Sequence, residues 1–336
     1  MILGSLSATS FTNWLWYRSK KAYLLLIPFE YLYKMIVSLK QKKERAQAKP
    51  FPVPVVVVGN ITVGGTGKSP VVIALVSYLR TQGYSPGIVS RGYGGKRPDR
   101  AQPLPVTPNS DPCRVGDEPV MIAAATGCPV VVASDRVRAV NELLAIYPEC
   151  NIVISDDGLQ HYRLWWDVAI CVVDAQRRFG NEHCLPAGPL REPVTALHDM
   201  DFVITTGSVD ADVVLKPQAW VSLGHAEEEA LDFFSGKTVH AVAGIAHPER
   251  FFETLRSQHI QVIPHAFPDH YFFSKKDLMF DDECPVVMTQ KDAVKCKNFF
   301  KSDDVKVGYL RMQAELSVSF KENIIKAILP FKKNNT

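Results

Sequence analysis

No C-x-x-C pair occurs among the seven scattered cysteines of this 336-residue chain. Their spacing argues against a disulfide framework or a zinc site and suits a reducing cytosol. Cys128, Cys171 and Cys284 lie in or beside apolar runs, as core thiols do. A strong charge of either sign is missing too. The formal net charge is +3, so no global field draws nucleic acid, and none is expected as a partner. Near the N-terminus the most apolar stretch is interrupted by Pro28, Glu30 and Lys34. It falls short of the roughly 20 mostly apolar residues of a clean membrane span. No small-residue cleavage site follows it, which speaks against a signal peptide. The last absence is a single glycine. Residues 62–69 read TVGGTGKS, where a phosphate-binding loop is spelled G-x-x-x-x-G-K-[ST]. Thr62 stands where the first glycine belongs.

What is present makes that loop convincing. The chain is 46% hydrophobic, enough for a large core and two ordinary domains. Short runs rich in Val and Ile, apolar at nearly every position, predict buried strands at 53–58, 87–90, 129–133, 152–155, 168–173 and 202–205. Val71, Ala74, Leu75, Tyr78 and Leu79 keep helical spacing, and Gly83 is placed to end that helix. Alternating strands and helices predict a doubly wound, mainly parallel α/β sheet with its ligand site at the carboxyl ends of the strands. The loop lies between a strand and a helix. Thr62, Val63, Gly64, Gly65, Thr66, Gly67, Lys68 and Ser69 would wrap an anion with backbone N–H groups, aided by about half a positive charge at the helix N-terminus. Lys68 would reach the β- and γ-phosphates of a nucleotide, and Ser69 would offer its hydroxyl to Mg²⁺. Asp156 and Asp157, at the end of another buried strand, are placed for the same cation. Buried side by side without one, they would be costly.

The first fifty residues differ in composition. Trp14, Trp16, Tyr17, Tyr23, Tyr31 and Tyr33 stand among Lys20, Lys21, Lys40, Lys42, Lys43 and Arg45. Two readings are open: an amphipathic helix in the interface of an anionic membrane, or a helix packed on the protein's own core. Further strands at 260–263 and 285–289 predict a smaller α/β lobe over 224–306. Strands near 219–223 and 307–312 would link it to a domain spanning 51–223. The terminal segment, 313–336, would return to that domain.

The motifs VGNITVGGTGKSP, SRGYGG, VGDEP, SDDGLQH, PAGPLREP, PDHY and TQKDAVK occur in one order. Together they resemble the tetraacyldisaccharide 4′-kinase family, a membrane-associated branch of the P-loop kinases in Gram-negative bacteria. The resemblance implies transfer of the γ-phosphate of ATP, with Mg²⁺, to the 4′-hydroxyl of a tetraacylated glucosamine disaccharide 1-phosphate. Such a protein would sit peripherally on the cytoplasmic face of the inner membrane and need no obligate protein partner. The resemblance also implies roles. Asp117 and His270 would form the dyad that accepts the sugar proton. Asp156 and Asp157 would handle Mg–ATP, while Arg191 would meet phosphate and Glu192 the metal. Arg91 and Tyr93 would face the acceptor, and Gln160 and His161 would support the site. The family's variant loop accommodates Thr62. TQKD is similar to a guanine-reading motif, but its lysine stands one place late, so no guanine specificity is expected. Two other functions remain as alternatives: a P-loop switch or ATPase acting on a protein, and a kinase for a soluble sugar.

Overall fold

A computed structural model describes residues 15–17, 21–224, 227–300 and 307–332. In chain order, a 3-10 turn (Ala22–Leu26) leads into α1 (Ile27–Arg45), followed by β1 (Val55–Gly59), α2 (Lys68–Thr81), β2 (Pro86–Ser90) and β3 (Leu104–Val106). Next come α3 (Pro112–Val115), α4 (Asp117–Thr126), β4 (Val130–Val132), α5 (Arg136–Ile146), β5 (Ile152–Asp156), β6 (Val168–Asp174) and β7 (Phe202–Thr206). The remainder is β8 (Val213–Ser222), β9 (Glu228–Glu229), β10 (Thr238–Ala243), α6 (Pro248–Ser257), β11 (Gln261–Ala266), β12 (Val286–Thr289), α7 (Gln290–Cys296), β13 (Val307–Leu316) and α8 (Val318–Lys332).

The strands form one sheet in the order β3-β4-β2-β5-β1-β6-β7-β8-β13-β12-β10-β11, with β9 beside β8. Pairing is parallel except at β3–β4, β8–β9 and β8–β13. Every residue of β1, β2, β4, β5 and β6 is buried, which is why these strands read as unbroken apolar runs. Alternate residues of β1 serve opposite faces. Val56 and Val58 join Leu75 and Leu79 of α2 and Phe320, Ile324 and Ile328 of α8. Val55 and Val57 join Ala139, Val140 and Leu143 of α5. Because β1 lies between β5 and β6, the chain winds away from it in both directions, and its carboxyl end opens into the crevice where such sheets bind ligands.

The expected strands fall within a few residues of those observed, with two instructive differences. β8 begins at Val213 rather than near 219 and pairs antiparallel with β13 along its whole length. Its polar stretch around Lys216 and Pro217 hides it from an apolar pattern. β3 sits at the sheet's end in a proline-rich stretch, PLPV, which an edge strand tolerates and a central one does not. Cys171 is buried as expected, whereas Cys128 and Cys284 are half-buried.

Helix α1 is the exposed element. A stripe of Phe29, Leu32, Ile36 and Leu39, continued by Leu25 of the preceding turn at three- and four-residue spacing, faces outward and uncovered. By length and composition, Ala22–Arg45 is apolar enough to cross a membrane, despite the interruptions seen in the sequence. Yet the helix is tied to the protein by a polar anchor. Glu30, 2% exposed, is its one buried residue. Its carboxylate accepts from the Cys184 N–H at 3.0 Å and meets His183 Nδ1 at 2.7 Å and Lys34 Nζ at 2.5 Å. Tyr33 Oη donates to the Arg191 carbonyl at 2.9 Å. Trp14 and Lys20, part of the expected interfacial segment, lie outside the described residues.

Burial alone would raise the Glu30 pKa, but hydrogen bonds from Lys34, Cys184 and His183 outweigh it and hold the carboxyl below its ordinary value. A depressed carboxyl contributes stability above its unfolded pKa and loses it as the pH falls through the folded one. Glu30→Ala is therefore expected to lower the opening free energy of α1 by about 1–3 kcal/mol near neutral pH. Hydrogen exchange of α1 should accelerate while β1 and β5 keep their protection. The gap between wild type and variant should close only at pH below about 4.

Candidate active site

Strand β1 ends at Gly59, and the loop 60–67 turns straight into α2. Gly67 makes that turn possible: as N-cap of α2 it sits at φ 77°, in the left-handed region that L side chains avoid. The loop is laced to the segment carrying Arg191. Val63 N–H donates to the Pro189 carbonyl at 2.8 Å, and Arg191 N–H to the Ile61 carbonyl at 2.7 Å. Thr206, at the end of β7, donates its hydroxyl to the Thr66 carbonyl at 2.8 Å. Thr62 is buried, and its Oγ1 accepts from Asn60 Nδ2 at 3.3 Å. The loop thus keeps its shape through side-chain and cross-loop bonds where the usual first glycine is absent.

Lys68 opens α2 and turns back over the loop. Its ammonium lies 3.1 Å from Asn60 Oδ1 and 3.3 Å from Asp157 Oδ1. Arg191 Nη1 approaches both oxygens of Asp157 at 3.4 Å and Gln160 Oε1 at 3.1 Å. Gln160 in turn donates to the Asn60 carbonyl at 3.1 Å and to Glu192 Oε1 at 2.8 Å. Lys68, Asp157, Gln160, Arg191 and Glu192 are thereby one network at the carboxyl ends of β1 and β5.

The two adjacent aspartates are treated oppositely. Asp156 is completely buried, and burial, Glu118 and Asp157 push its pKa up. Ser90 donates to its Oδ2 at 3.0 Å, while Oδ1 is buried without a hydrogen-bond partner. For Asp157, burial would raise the pKa, but Lys68 and Arg191 hold it well below the carboxylate range. Asp157 also sits at φ 50°, a conformation costing a non-glycine residue about 1 kcal/mol or more, which aims it at Lys68 rather than along the strand. Buried Ser69, the orphan oxygen of Asp156, ionised Asp157 and buried Glu192 are an all-oxygen donor set of the kind Mg²⁺ takes.

A second cluster stands at the edge of this crevice. The SRGYGG turn after β2 and the VGDEP segment opening α4 pack backbone to backbone. A Cβ on Gly116 would meet the Tyr93 carbonyl at 2.5 Å, and one on Gly95 the Arg114 carbonyl at 2.4 Å. Glycine at both places brings Tyr93 beside Asp117. His270 arrives from 153 residues further on, and its Nδ1 is 3.0 Å from each oxygen of Asp117. The Tyr93 and His270 rings lie 5.0 Å apart. Asp117 is buried, and although burial would raise its pKa, His270, Lys291 and Lys295 bring it below the ordinary value. For His270, burial lowers the pKa, but the hydrogen bond to Asp117 prevails and raises it. His270 also adopts positive φ, at 59°.

Among the described residues, two expected site residues have no hydrogen bond to the members of these clusters. Arg91 is exposed at the start of the SRGYGG turn, next to Ser90. His161 turns to α5, where its Nε2 accepts from the Arg136 N–H at 3.2 Å. Burial and Arg136 push its pKa down to about 4, so the ring is neutral near pH 7. Sequence reasoning missed Arg136, a buried arginine that donates to the Ala133 and Asp156 carbonyls at 2.7 and 3.1 Å. Its signal was available: it follows a buried strand and Asp135, whose side chain caps α5. Asn60 was also missed, although it joins strand to loop. So was the contact of residues 247–250 with the end of β6 and the segment that follows it, where Arg250 forms a two-point ion pair with Asp174 at 2.5 and 3.0 Å and Arg177 bonds His247.

A family model described as tetraacyldisaccharide-1-P 4′-kinase (LpxK) matches residues 22–329. The tetraacyldisaccharide 4′-kinase of Hahella chejuensis is 46% identical over 322 residues, covering 92% of this chain and 94% of that one. The enzyme of the same name from Nitrosococcus oceani is 44% identical over 316 residues, covering 92% of each. Among solved structures, LpxK from Aquifex aeolicus, described as an "apo" form in complex with ATP, superposes with a TM-score of 0.74. It is 26% identical, over 91% of this chain and 99% of that one.

Replacing Lys68 by alanine is expected to lower turnover at least about 10²-fold, the usual loss when a preorganised charge is removed from such a site. Steady-state assays with ATP and Mg²⁺ check this, and near-normal turnover would remove the loop from the chemistry.

Proposed function

The chain belongs to the tetraacyldisaccharide 4′-kinase family, and from that premise we propose that Asp117 and His270 are its general-base pair, set against a phosphate site built on Lys68. The activity is transfer of the γ-phosphate of ATP to the 4′-hydroxyl of a tetraacylated glucosamine disaccharide 1-phosphate. An alcohol is a weak nucleophile. Its oxygen forms the new P–O bond as the bond to ADP breaks, and its proton must leave with the attack. Supporting the reading is the 3.0 Å contact of the Asp117 carboxylate with His270 Nδ1, which leaves an ionised carboxylate ready to take that proton.

Around it the remaining roles follow from chemistry. The N–H groups of residues 62–69, with Lys68 and Arg191, bind the ATP phosphates. Ser69, Asp156, Asp157 and Glu192 hold Mg²⁺, which neutralises phosphate charge when bound. Gln160 keeps Arg191 and Glu192 in register, and His161 supports the site through Arg136. Tyr93 and Arg91 meet the acceptor beside Asp117. We divide the chain into an interfacial segment (1–50), a nucleotide-binding domain (51–223, with 313–336 returning to it) and a smaller lobe (224–306). Separate apolar clusters, around β1 and around β10 with β12, support that division.

An acceptor with acyl chains calls for an enzyme at a bilayer. The outward stripe of α1 lies away from the Glu30 anchor, so α1 rests in the interface on the cytoplasmic side of the inner membrane while the crevice reaches the sugar. A single apolar side chain entering the acyl boundary contributes on the order of 1–2 kcal/mol, and each basic residue near anionic lipid about 1 kcal/mol.

Two outcomes test this reading. Asp117→Ala and His270→Ala should each lower transfer about 10²–10⁴-fold while ATP binding survives. The double variant should be little worse than the poorer single one, as for groups acting as a unit; fully multiplicative losses would mean independent roles. Replacing Leu25, Phe29, Leu32 and Ile36 together with serine should shift the protein from membrane to soluble fractions. It should reduce activity on the lipid more than ATP binding. Unchanged sedimentation with anionic vesicles would make α1 an ordinary packing helix.

A further inference from the structure

The TQKDAVK motif has no role in the nucleotide site, yet the fold carries it to the base pair. Thr289 caps α7 and Asp292 locks it. The Thr289 hydroxyl donates to Asp292 Oδ2 at 2.6 Å, and Gly244 N–H, just beyond β10, donates to the same oxygen at 2.8 Å. Asp292 is fully buried. With the helix start fixed, Lys291 and Lys295 lie one turn apart on the same face, and that face meets the start of α4. Lys291 Nζ is 3.1 Å from Glu118 Oε1, 3.1 Å from Asp269 Oδ1 and 3.4 Å from His270 Nε2. Lys295, with its side chain 5% exposed, lies 2.7 Å from Asp292 Oδ1 and 3.8 Å from Asp117 Oδ2. It bounds a hollow shared with Gly94, Pro112, Asp117, His270 and Phe272.

The geometry points to Lys291 and Lys295 as positioning residues that set which atom of the Asp117–His270 pair takes the acceptor's proton. This rests on the base-pair reading above. Lys291 donates to His270 Nε2, so the ring's own proton stays on Nδ1, facing Asp117. The nitrogen that could otherwise serve as base is thereby occupied, and the hydroxyl proton goes to the carboxylate. Lys295 compensates the charge of the buried Asp117, keeping the carboxylate ionised at neutral pH. The charges facing the pair come from every packed element: Glu118 on α4, Asp269 beside His270, and Lys291, Asp292 and Lys295 on α7. Lys96 stands 4.7 Å from the Phe272 ring at the edge of the hollow. The two ammonium groups are the cations nearest the base, so removing either raises the proton affinity of the pair. The His270 ring, whose proton affinity Lys291 otherwise holds down, is then charged over more of the working pH range and ties the Asp117 carboxylate to an imidazolium.

The test is the pH profile of kcat/KM with Mg-ATP and the tetraacylated disaccharide 1-phosphate. Lys291→Met should move the acid limb up by about one pH unit. Its deficit at pH 6.5 should then be about tenfold larger than its deficit at pH 9, while Lys291→Arg, keeping the charge, should restore the wild-type limb. Lys295→Met, checked by melting and ATP binding, should shift the limb in the same direction. Equal impairment of Lys291→Met and Lys291→Arg at every pH, with the limb unmoved, would overturn the inference and make the lysines braces of the fold. Asp117→Asn separates the two readings. If it keeps wild-type turnover, the base pair itself is wrong. If it is inactive while the lysine variants leave the limb in place, only the positioning role fails.

Discussion

Two neighbouring carboxylates at the end of a buried strand cannot both carry charge without cations around them, and the crevice is arranged to meet that constraint. Asp157 faces Lys68 and Arg191 and is ionised. Asp156 faces Ser90 and the sheet interior, where burial raises its proton affinity. The protein alone therefore neutralises one of the pair with its own cations and leaves the other in want of one. Lys68 serves both sides of this arrangement. Asp157 and Asn60 hold its ammonium in place over the loop, so a phosphate meets a charge that is already oriented.

The same logic recurs at the Asp117–His270 pair, proposed above as the base, with the parts drawn from distant stretches of chain. Asp117 opens α4 beside the nucleotide crevice, while His270, Lys291 and Lys295 arrive on the loop after β11 and on α7. Asp117 and His270 meet across that seam, and the Arg250–Asp174 ion pair joins the end of β6 to the start of α6. On the proposed reading, a base pair split in this way is complete only when both regions are together, which favours transfer to a bound acceptor over hydrolysis in an open site.

Helix α1 answers a different requirement. A stripe of exposed Leu, Phe and Ile is unfavourable in water, and a polar anchor sits on another face of the same helix. With Glu30 held by His183 and Cys184, and Tyr33 by the Arg191 carbonyl, the helix cannot turn its apolar stripe inward. The neighbouring residue of that segment, Glu192, belongs to the nucleotide network. Whatever surface covers α1 is thus fixed in orientation relative to the catalytic crevice.

Much of this was legible in the chain itself. Unbroken Val and Ile runs mark strands buried on both faces, because a parallel sheet covered by helices leaves no position for a polar side chain. TVGGTGKS between strand and helix marks a phosphate loop, because tight backbone wrapping and a helix N-terminus need those residues in that order. The motif set carried the family. Tertiary structure decided what local pattern cannot encode. Asp156 and Asp157 are adjacent letters, and only the neighbours that the fold packs around them lower the proton affinity of Asp157 and raise that of Asp156. Asp117 and His270 read separately as a turn acid and a loop histidine; their 3.0 Å contact spans 153 residues. Lys291 reads as the misplaced lysine of a base-reading motif until α7 lies against α4. Spacing along the chain reports local geometry, whereas charge state and reactivity depend on which groups share a desolvated volume, and that volume exists only once the sheet has brought its distant edges together.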